Sequence, residues 1–435
     1  MFDYKTHEGK KYGLLSIIFS LIIGSYWLFR PVKDAVFLTM IGNLHQPKAK
    51  MISLFVVGFL VLLYSYLVDK YPRHKLLYGI TLFYAIGTAI FAFFIWHPQT
   101  GLGNTIASSD RYLGWLWYMF VESFGSIMVA LFWSFVSDTT SPEVAKRRYF
   151  SVAIGGQMGG FVCPLLAQQI TYKFGTGIAL IIPVISLFVL LGLVVYYMKH
   201  IAPFDEQASL EFNQKKAPLE GKPKTGFLEG VRLLFTRPYL FGIFTIVALY
   251  EIVLTILDYH FKVLASTHYT GDALSNYLYS YALWTNGVAL LCLFFGVGAV
   301  GRKLGLTRTL LLLPALVACA VLTFNVYPIL EIAFIIMVSC KGLNYALIQP
   351  SKEQLYIPTS KESKYKAKAW IDMFGSRSSK GIGAAINNFK ETLGDDSFMF
   401  ITAFVSMGLI GVWAIAAYIV GRIHKQAIKE DRLVC

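Results

Sequence analysis

Four charged residues lie inside or against long hydrophobic runs, where a membrane-spanning helix is normally apolar: Lys33, Glu122, Glu251 and Lys380. A charged side chain at the bilayer centre costs about 2.5–3.5 kcal/mol even on the insertion scales that give low values. Membrane proteins keep such residues mainly where they face a water-filled cavity or pair with one another. The sequence therefore predicts a polar, charge-lined route through a bundle of helices.

The composition is that of a polytopic membrane protein. Only 15% of the 435 residues are charged and the mean hydropathy is +0.57, whereas soluble domains are about 25% charged. A spanning helix needs about 20 mostly apolar residues. Twelve runs meet this requirement: Tyr12–Ile41, Ile52–Val68, Leu76–Trp96, Leu113–Val136, Tyr149–Tyr172, Gly177–Met198, Leu240–His260, Tyr277–Val300, Thr309–Val326, Pro328–Ile348, Ala369–Phe389 and Phe398–Val420. We therefore expect an all-α membrane protein with twelve transmembrane helices.

The longest polar stretch, Lys199–Lys224, separates six of these helices from the other six. Its prolines and mixed charges are typical of a solvated linker. We expect an N-terminal six-helix bundle over 1–198, a cytoplasmic linker over 199–232 and a C-terminal six-helix bundle over 233–435. The two halves repeat a short basic turn after their second helices, at Leu67–Lys75 and Val300–Arg308.

These turns resemble the loop signature of the major facilitator superfamily, although the second copy lacks the aspartate. The resemblance implies two six-helix pseudo-repeats that bind substrate between them near the midplane. Taken alone, the two segments are equally consistent with ordinary basic turns.

The distribution of the positive charges behind the net charge of +14 is explained by membrane topology. With the N-terminus inside, the inner segments hold 28 Lys and Arg residues and the outer segments hold six, among them Lys262. This bias predicts cytoplasmic termini in a multi-pass protein of the cell inner membrane. It gives no reason to expect a nucleic-acid partner. The expected partners are the lipid bilayer and a small-molecule substrate, and the expected state is a monomer.

Several other functions are not expected. The five cysteines are scattered and the eight histidines are not at metal-ligand spacing, so neither a disulfide framework nor a metal site is predicted. A Gly-Lys-[Ser/Thr] phosphate loop is missing from the sequence, which argues against ATP hydrolysis and an enzyme. No catalytic residue and no cofactor are predicted. No cleavable signal peptide is evident, so we expect the first helix to stay as an anchor.

The first helix carries Arg30, Lys33 and Asp34 on one face, because they are three and four residues apart. We expect Arg30 to pair with Asp34, which would leave Lys33 free to meet an anion. The apolar Ala35–Ile41 indicates that the helix continues beyond the charges. In the alternative, Tyr12–Phe29 already spans the membrane and the charges mark its outer end. Glu122 lies deep within the fourth predicted helix.

The C-terminal half carries the complementary charges. Glu251 and Asp258 share a face of the seventh helix because they are seven residues apart. Lys341 lies on the tenth helix, and Arg377 and Lys380 lie on the eleventh. Bases thus face acids within each half, and such charges can form ion pairs that a substrate replaces. Arg and Lys are the usual phosphate ligands, and seven aromatic residues lie near enough in sequence to stack on a base: Tyr26, Trp27, Trp117, Tyr118, Tyr250, Trp284 and Tyr345.

Three stretches resemble the ATP/ADP translocase family of intracellular bacteria and plastids. Phe29–Asp34 is similar to its Leu-Arg-x-x-Lys-Asp motif. Asn344–Pro358, which contains Pro-Ser-Lys-Glu, and Gly375–Gly383 are similar to its C-terminal motifs. The resemblance implies nucleotide exchange by alternating access, with Lys33 and Lys380 binding phosphates and with Glu122 and Glu251 setting selectivity or coupling. The sequence departs from the family pattern at Asn344, Ser379 and Ile382.

The candidate substrate-binding set therefore contains ten residues: Lys33, Arg30, Glu122, Glu251, Lys380, Arg377, Lys341, Asp372, Asp34 and Asn344. Two alternatives stay open. One is a proton-coupled nucleotide symporter, and the other is a facilitator-type transporter of a different anionic small molecule.

Overall fold

A computed structural model describes residues 7–140, 142–204, 227–294, 304–345, 349–360, 367–368, 370–430 and 432–434. These residues form helices and turns and contain no strand. Nine helical segments among them are long and apolar enough to cross a membrane. The predicted all-α membrane fold is confirmed, and the count of twelve spans stays a prediction.

The described residues before the linker form seven α-helices. They are α1 (His7–Met40), α2 (Gln46–Lys70), α3 (Arg73–Trp96), α4 (Tyr112–Asp138), α5 (Pro142–Phe174), α6 (Thr176–Ala179) and α7 (Ile181–His200). Short 3-10 turns lie at Asn43–His45 and Ala202–Phe204. Helix α1 runs through Arg30 and Pro31 to Met40, so the expectation that the first helix continues beyond its charges is confirmed.

The described residues after the linker form nine α-helices and a π-helical turn. They are α8 (Phe227–Thr236), α9 (Pro238–His268), α10 (Gly271–Phe294), α11 (Leu306–Val326), α12 (Leu330–Leu343), α13 (Gln349–Leu355), the π turn (Ile371–Gly375), α14 (Ser376–Asn388), α15 (Lys390–Leu393) and α16 (Asp395–Lys429). Residues 205–226 of the predicted linker and 300–303 of the second basic turn lie outside the described residues.

Two helix boundaries differ from those read along the sequence. Helix α8 begins at Phe227, within the stretch 199–232 that is predicted as a linker. The seventh predicted helix ends at His260, but α9 continues to His268. Lys262, which the sequence places in an outer segment, therefore lies inside a helix and is buried. Hydropathy underestimates α9 because its last two turns contain charged and polar residues.

The chain divides into two compact units. Unit 1 contains 1–43, 55–222 and 268–283, and unit 2 contains 44–54, 223–267 and 284–435. Each unit thus includes a segment from the other side of the linker, which a division along the sequence does not predict. Leu44–Leu54 belongs to unit 2 and His268–Leu283 belongs to unit 1.

Small residues bring α5 against α1 in unit 1. A Cβ atom added at Gly155 would overlap the backbone of Ser16, and one added at Gly159 would overlap the carbonyl oxygen of Ser20. Glycine spaced at four residues allows this close backbone approach between membrane helices. The contact holds the N-terminal half of α1 in place, and α1 carries Lys33 further along.

Candidate functional site

Lys33 is the centre of a buried charge cluster in unit 1. Its Nζ lies 2.5 Å from Oε1 of Glu122 on α4 and 3.7 Å from Oδ1 of Asp34. The same Nζ lies 4.4 Å from the ring centroid of Tyr118. The Lys33 side chain is only 7% exposed and that of Glu122 is 28% exposed. The expected contact between the first and fourth helices is present, but the expectation that Lys33 would be free is wrong.

Aromatic packing sets the position of α4 against α1. The ring of Phe29 contacts Trp117 at 5.7 Å and Phe124 at 5.0 Å, both edge to face. These rings flank Glu122 on α4, so they orient its carboxylate toward α1. Trp117 and Tyr118 are themselves almost fully buried, which makes them packing residues here and not an exposed stacking face. The Arg30 guanidinium carbon lies 5.3 Å from the ring of Trp27.

Glu251 and Lys380 form the corresponding pair in unit 2. The Lys380 Nζ lies 3.5 Å from Oε1 of Glu251, and the Ser376 hydroxyl donates a hydrogen bond to the same oxygen at 2.8 Å. Lys380 is 45% exposed and Glu251 is 19% exposed. Lys380 and Ser376 are four residues apart on α14, and Arg377 follows Ser376 with a partly exposed side chain. The predicted pairing of the seventh and eleventh helices is therefore present.

A second, more deeply buried cluster in unit 2 contains Asp258, Lys262 and Lys341. The Asp258 carboxylate accepts from Lys341 through Oδ1 and from Lys262 through Oδ2, each at 2.6 Å. All three side chains are at most 10% exposed. The sequence predicted that acids of the seventh helix face bases of the tenth and eleventh, but it missed Lys262. The four-residue spacing from Asp258 would have identified it if the helix had been extended past His260.

A cavity of about 300 Å³ opens in unit 2, a size at the lower end of the range for small-molecule sites. Its apolar wall comprises Ile243, Ile246, Val247, Leu310, Leu355 and Trp413, and its polar wall comprises Tyr250, Glu251, Asn344, Lys352, Glu353, Asp372 and Ser376. Three predicted residues line it: Glu251, Asn344 and Asp372. Tyr250 is the one candidate stacking residue on this wall among the described residues, and its ring contacts Trp413 at 5.8 Å.

Lys352 is the functional candidate that the sequence reasoning omitted. It lies on the cavity wall, and its Nζ contacts Oδ1 of Asp372 at 2.8 Å. The signal was present, because Lys352 belongs to the Pro-Ser-Lys-Glu motif. Lys380, Arg377 and Lys341 are not among the residues that line the cavity. Within the described residues, no group of three His, Cys, Asp or Glu side chains is arranged to hold a metal ion.

Comparison with known proteins gives a family match over nearly the whole chain. The model of the family described as TLC ATP/ADP transporter matches residues 1–426. The ADP,ATP carrier protein 1 of Chlamydia pneumoniae is 23% identical, over 98% of this chain and 94% of that protein. The chloroplastic ADP,ATP carrier protein 1 of Arabidopsis thaliana is 24% identical, over 89% of this chain and 69% of that protein.

Solved structures with the same fold are transporters. The POT family transporter PepTSo superposes with a TM-score of 0.60, covering 96% of this chain and 98% of that chain at 15% identity. An auto-inhibited POT family peptide transporter gives a TM-score of 0.63, covering 95% of this chain and 96% of that chain at 13% identity. Identities this low establish the fold alone, which is of the major facilitator type.

Proposed function

Because the chain belongs to the TLC ATP/ADP transporter family, we propose that it exchanges ATP for ADP across a membrane by alternating access. One structural observation supports the roles that we propose for individual residues. The four residues to which the family resemblance assigns transport roles form two Lys–Glu pairs, Lys33 with Glu122 in unit 1 and Lys380 with Glu251 in unit 2. Each lysine thus rests on a carboxylate that a phosphate group replaces.

The lysines supply the phosphate ligands in this proposal. A lysine ammonium donates up to three charge-assisted hydrogen bonds, and phosphate is a stronger acceptor than a single carboxylate because it offers several charged oxygens. Glu122 and Glu251 hold the lysines in place when substrate is absent. Arg30 and Arg377, one helical turn before each lysine, add positive charge for the polyphosphate.

The remaining candidates have supporting roles. Asn344 lines the unit 2 cavity and offers polar atoms to the nucleoside, and Asp372 holds Lys352 on the same wall. Asp34 orients Lys33, and Lys341 is held by Asp258. Obligate exchange follows from the same charges. Charged side chains in a low-dielectric interior are costly to rearrange without a counter-charge, so the loaded carrier reorients more readily than the empty one.

We also propose that the protein lies in the cell inner membrane as a monomer with both termini in the cytoplasm. The excess of Lys and Arg in the predicted inner segments supports this orientation. Fusing a reporter that is fluorescent only in the cytoplasm to the C-terminus tests it. A fluorescent fusion agrees with the proposal, and a dark but full-length fusion contradicts it.

Counterflow in proteoliposomes tests the transport proposal. Vesicles loaded with unlabelled ADP should accumulate labelled ATP, and vesicles without internal nucleotide should not. Accumulation that needs a proton gradient and no internal nucleotide would favour the symporter. Thermal stabilisation by a sugar phosphate, with none by ATP or ADP, would favour transport of another anion.

A further inference from the structure

Lys352 is the only lysine or arginine among the described residues that line the unit 2 cavity. It lies on the short helix α13, and its side chain is 13% exposed. Its Nζ contacts Oδ1 of Asp372, which belongs to the π turn, at 2.8 Å. π-helical turns inside α-helices occur frequently at functional sites.

The cavity wall carries three carboxylates, and each of them contacts one lysine. Glu251 contacts Lys380 at 3.5 Å, Glu353 contacts Lys368 at 2.6 Å, and Asp372 contacts Lys352 at 2.8 Å. Lys380 and Lys368 do not themselves line the cavity. A polyanion that enters the cavity therefore meets a positive charge on the wall directly at Lys352.

We propose that Lys352 is a phosphate-binding residue of this cavity and that substrate phosphate takes the place of Asp372 as its partner. This inference rests on the proposed function and assigns a further ligand of the same substrate. The exchange requires Lys352 to leave one carboxylate oxygen and to donate to phosphate oxygens. No covalent bond changes and no proton moves.

The two partners differ in exposure in a way that favours this exchange. The Asp372 side chain is 35% exposed, whereas that of Lys352 is 13% exposed. When Asp372 is released, water can hydrate its carboxylate, so the free-energy cost of losing Lys352 is reduced. Lys352 stays at the cavity wall and exchanges the carboxylate for a phosphate, so its ammonium always has an anionic partner. Substrate binding also releases the contact between α13 and the π turn, and the π turn leads directly into the helix that carries Lys380.

The effect of Asp372→Asn on nucleotide binding distinguishes phosphate binding by Lys352 from a purely structural role of the ion pair. If the pair only holds α13 to the π turn, Asp372→Asn weakens nucleotide binding because the wall loosens. If Lys352 binds phosphate in competition with Asp372, Asp372→Asn strengthens binding because the competitor loses its charge. The sign of the change separates the two roles, and Asp372→Asn is nearly isosteric.

Ligand affinity of the purified full chain, measured from thermal stabilisation with ATP, ADP and adenosine, provides the test. Lys352→Gln should weaken ATP and ADP binding by about tenfold or more, as expected for one lost charge-assisted hydrogen bond. Adenosine, which has no phosphate, should change by less than about twofold. Lys352→Arg should retain most of the ATP affinity, and Asp372→Asn should increase it.

Lys390→Gln is the matched control. Lys390 contacts Asp395 at 2.9 Å and is 11% exposed, close to the values of Lys352, but it does not line the cavity. It should leave the affinity for ATP unchanged. Equal losses for ATP and adenosine in Lys352→Gln, or weaker ATP binding in Asp372→Asn, would overturn the inference. Wild-type protein that neither binds nor exchanges any nucleotide would instead overturn the proposed function.

Discussion

Replacement of Lys33 by methionine tests the unit 1 cluster most directly. The ammonium lies 2.5 Å from Glu122 and 3.7 Å from Asp34, and its side chain is 7% exposed. Removing one partner of a fully buried ion pair costs about 3–5 kcal/mol. Because Glu122 is 28% exposed, water compensates part of its charge, and we expect about 3 kcal/mol, at the low end of that range.

The double variant Lys33→Met with Glu122→Gln separates stability from transport. Removing both charges should recover part of the lost stability, giving a coupling energy of about 1–3 kcal/mol between the two residues. It should not recover ATP/ADP exchange, because the proposed phosphate ligand is still missing. Thermal unfolding in detergent measures the first quantity, and counterflow in proteoliposomes measures the second.

Lys11→Met is the matched control on the same helix. Lys11 is 5% exposed, similar to Lys33, and it donates to the carbonyl oxygen of Thr139. Its replacement should leave exchange intact, because Lys11 is not one of the proposed phosphate ligands. Exchange at the wild-type rate in Lys33→Met, or restored exchange in the double variant, would contradict phosphate binding by Lys33. The Lys33–Glu122 pair would then be purely structural.

Three further outcomes are expected. Asp258→Asn should destabilise the protein by about 3 kcal/mol or more, because it removes the carboxylate shared by two buried lysines. Thermal unfolding measures this loss, with the milder Asp258→Glu as the control. Equal stability of the two variants would contradict a role for the shared negative charge. Gly159→Val should reduce the yield of folded protein in size-exclusion chromatography, because a side chain there overlaps the backbone of Ser20, and a wild-type profile would contradict the proposed helix contact. The hydrogen bond and charge of Lys48 lower the pKa of Glu391, so their contact stabilises the protein above the ordinary glutamate pKa of about 4.3 and is lost as the pH falls through the lowered pKa. The difference in melting temperature between wild type and Glu391→Gln should therefore shrink on acidification, and a constant difference would argue against an ionic contribution.

Local sequence rules and tertiary contacts differ over Lys33. Spacing along α1 predicted that Arg30 would pair with Asp34 and leave Lys33 free, because spacing reveals only neighbours on one helix. The observed contact with Glu122 depends on how α4 packs against α1, which edge-to-face contacts of Phe29 determine. The pairing of acids with bases within each half was nevertheless predictable, since buried charges need counter-charges.

The ends of helices also depend on tertiary contacts that local sequence does not reveal. Hydropathy ends the seventh helix near His260, and the helix continues to His268 because Lys262 is neutralised by Asp258 one turn earlier. Lys352 belonged to a recognisable motif, but nothing in the motif indicates that its side chain reaches a cavity and Asp372. Lys352 and Asp372 are 20 residues apart in sequence, so their contact depends on how the chain folds.

By itself, the sequence determined that this chain is helical, spans a membrane and carries charges within or against its apolar runs, at Lys33, Glu122, Glu251 and Lys380. It could do so because bilayer thickness imposes the length of apolar runs and because a charge within such a run is conspicuous. Only the tertiary structure decided which charges contact one another, that Lys262 is buried, and that Lys352 faces a cavity. Ion pairs form between atoms a few ångströms apart, and helix packing brings those atoms together from distant parts of the chain.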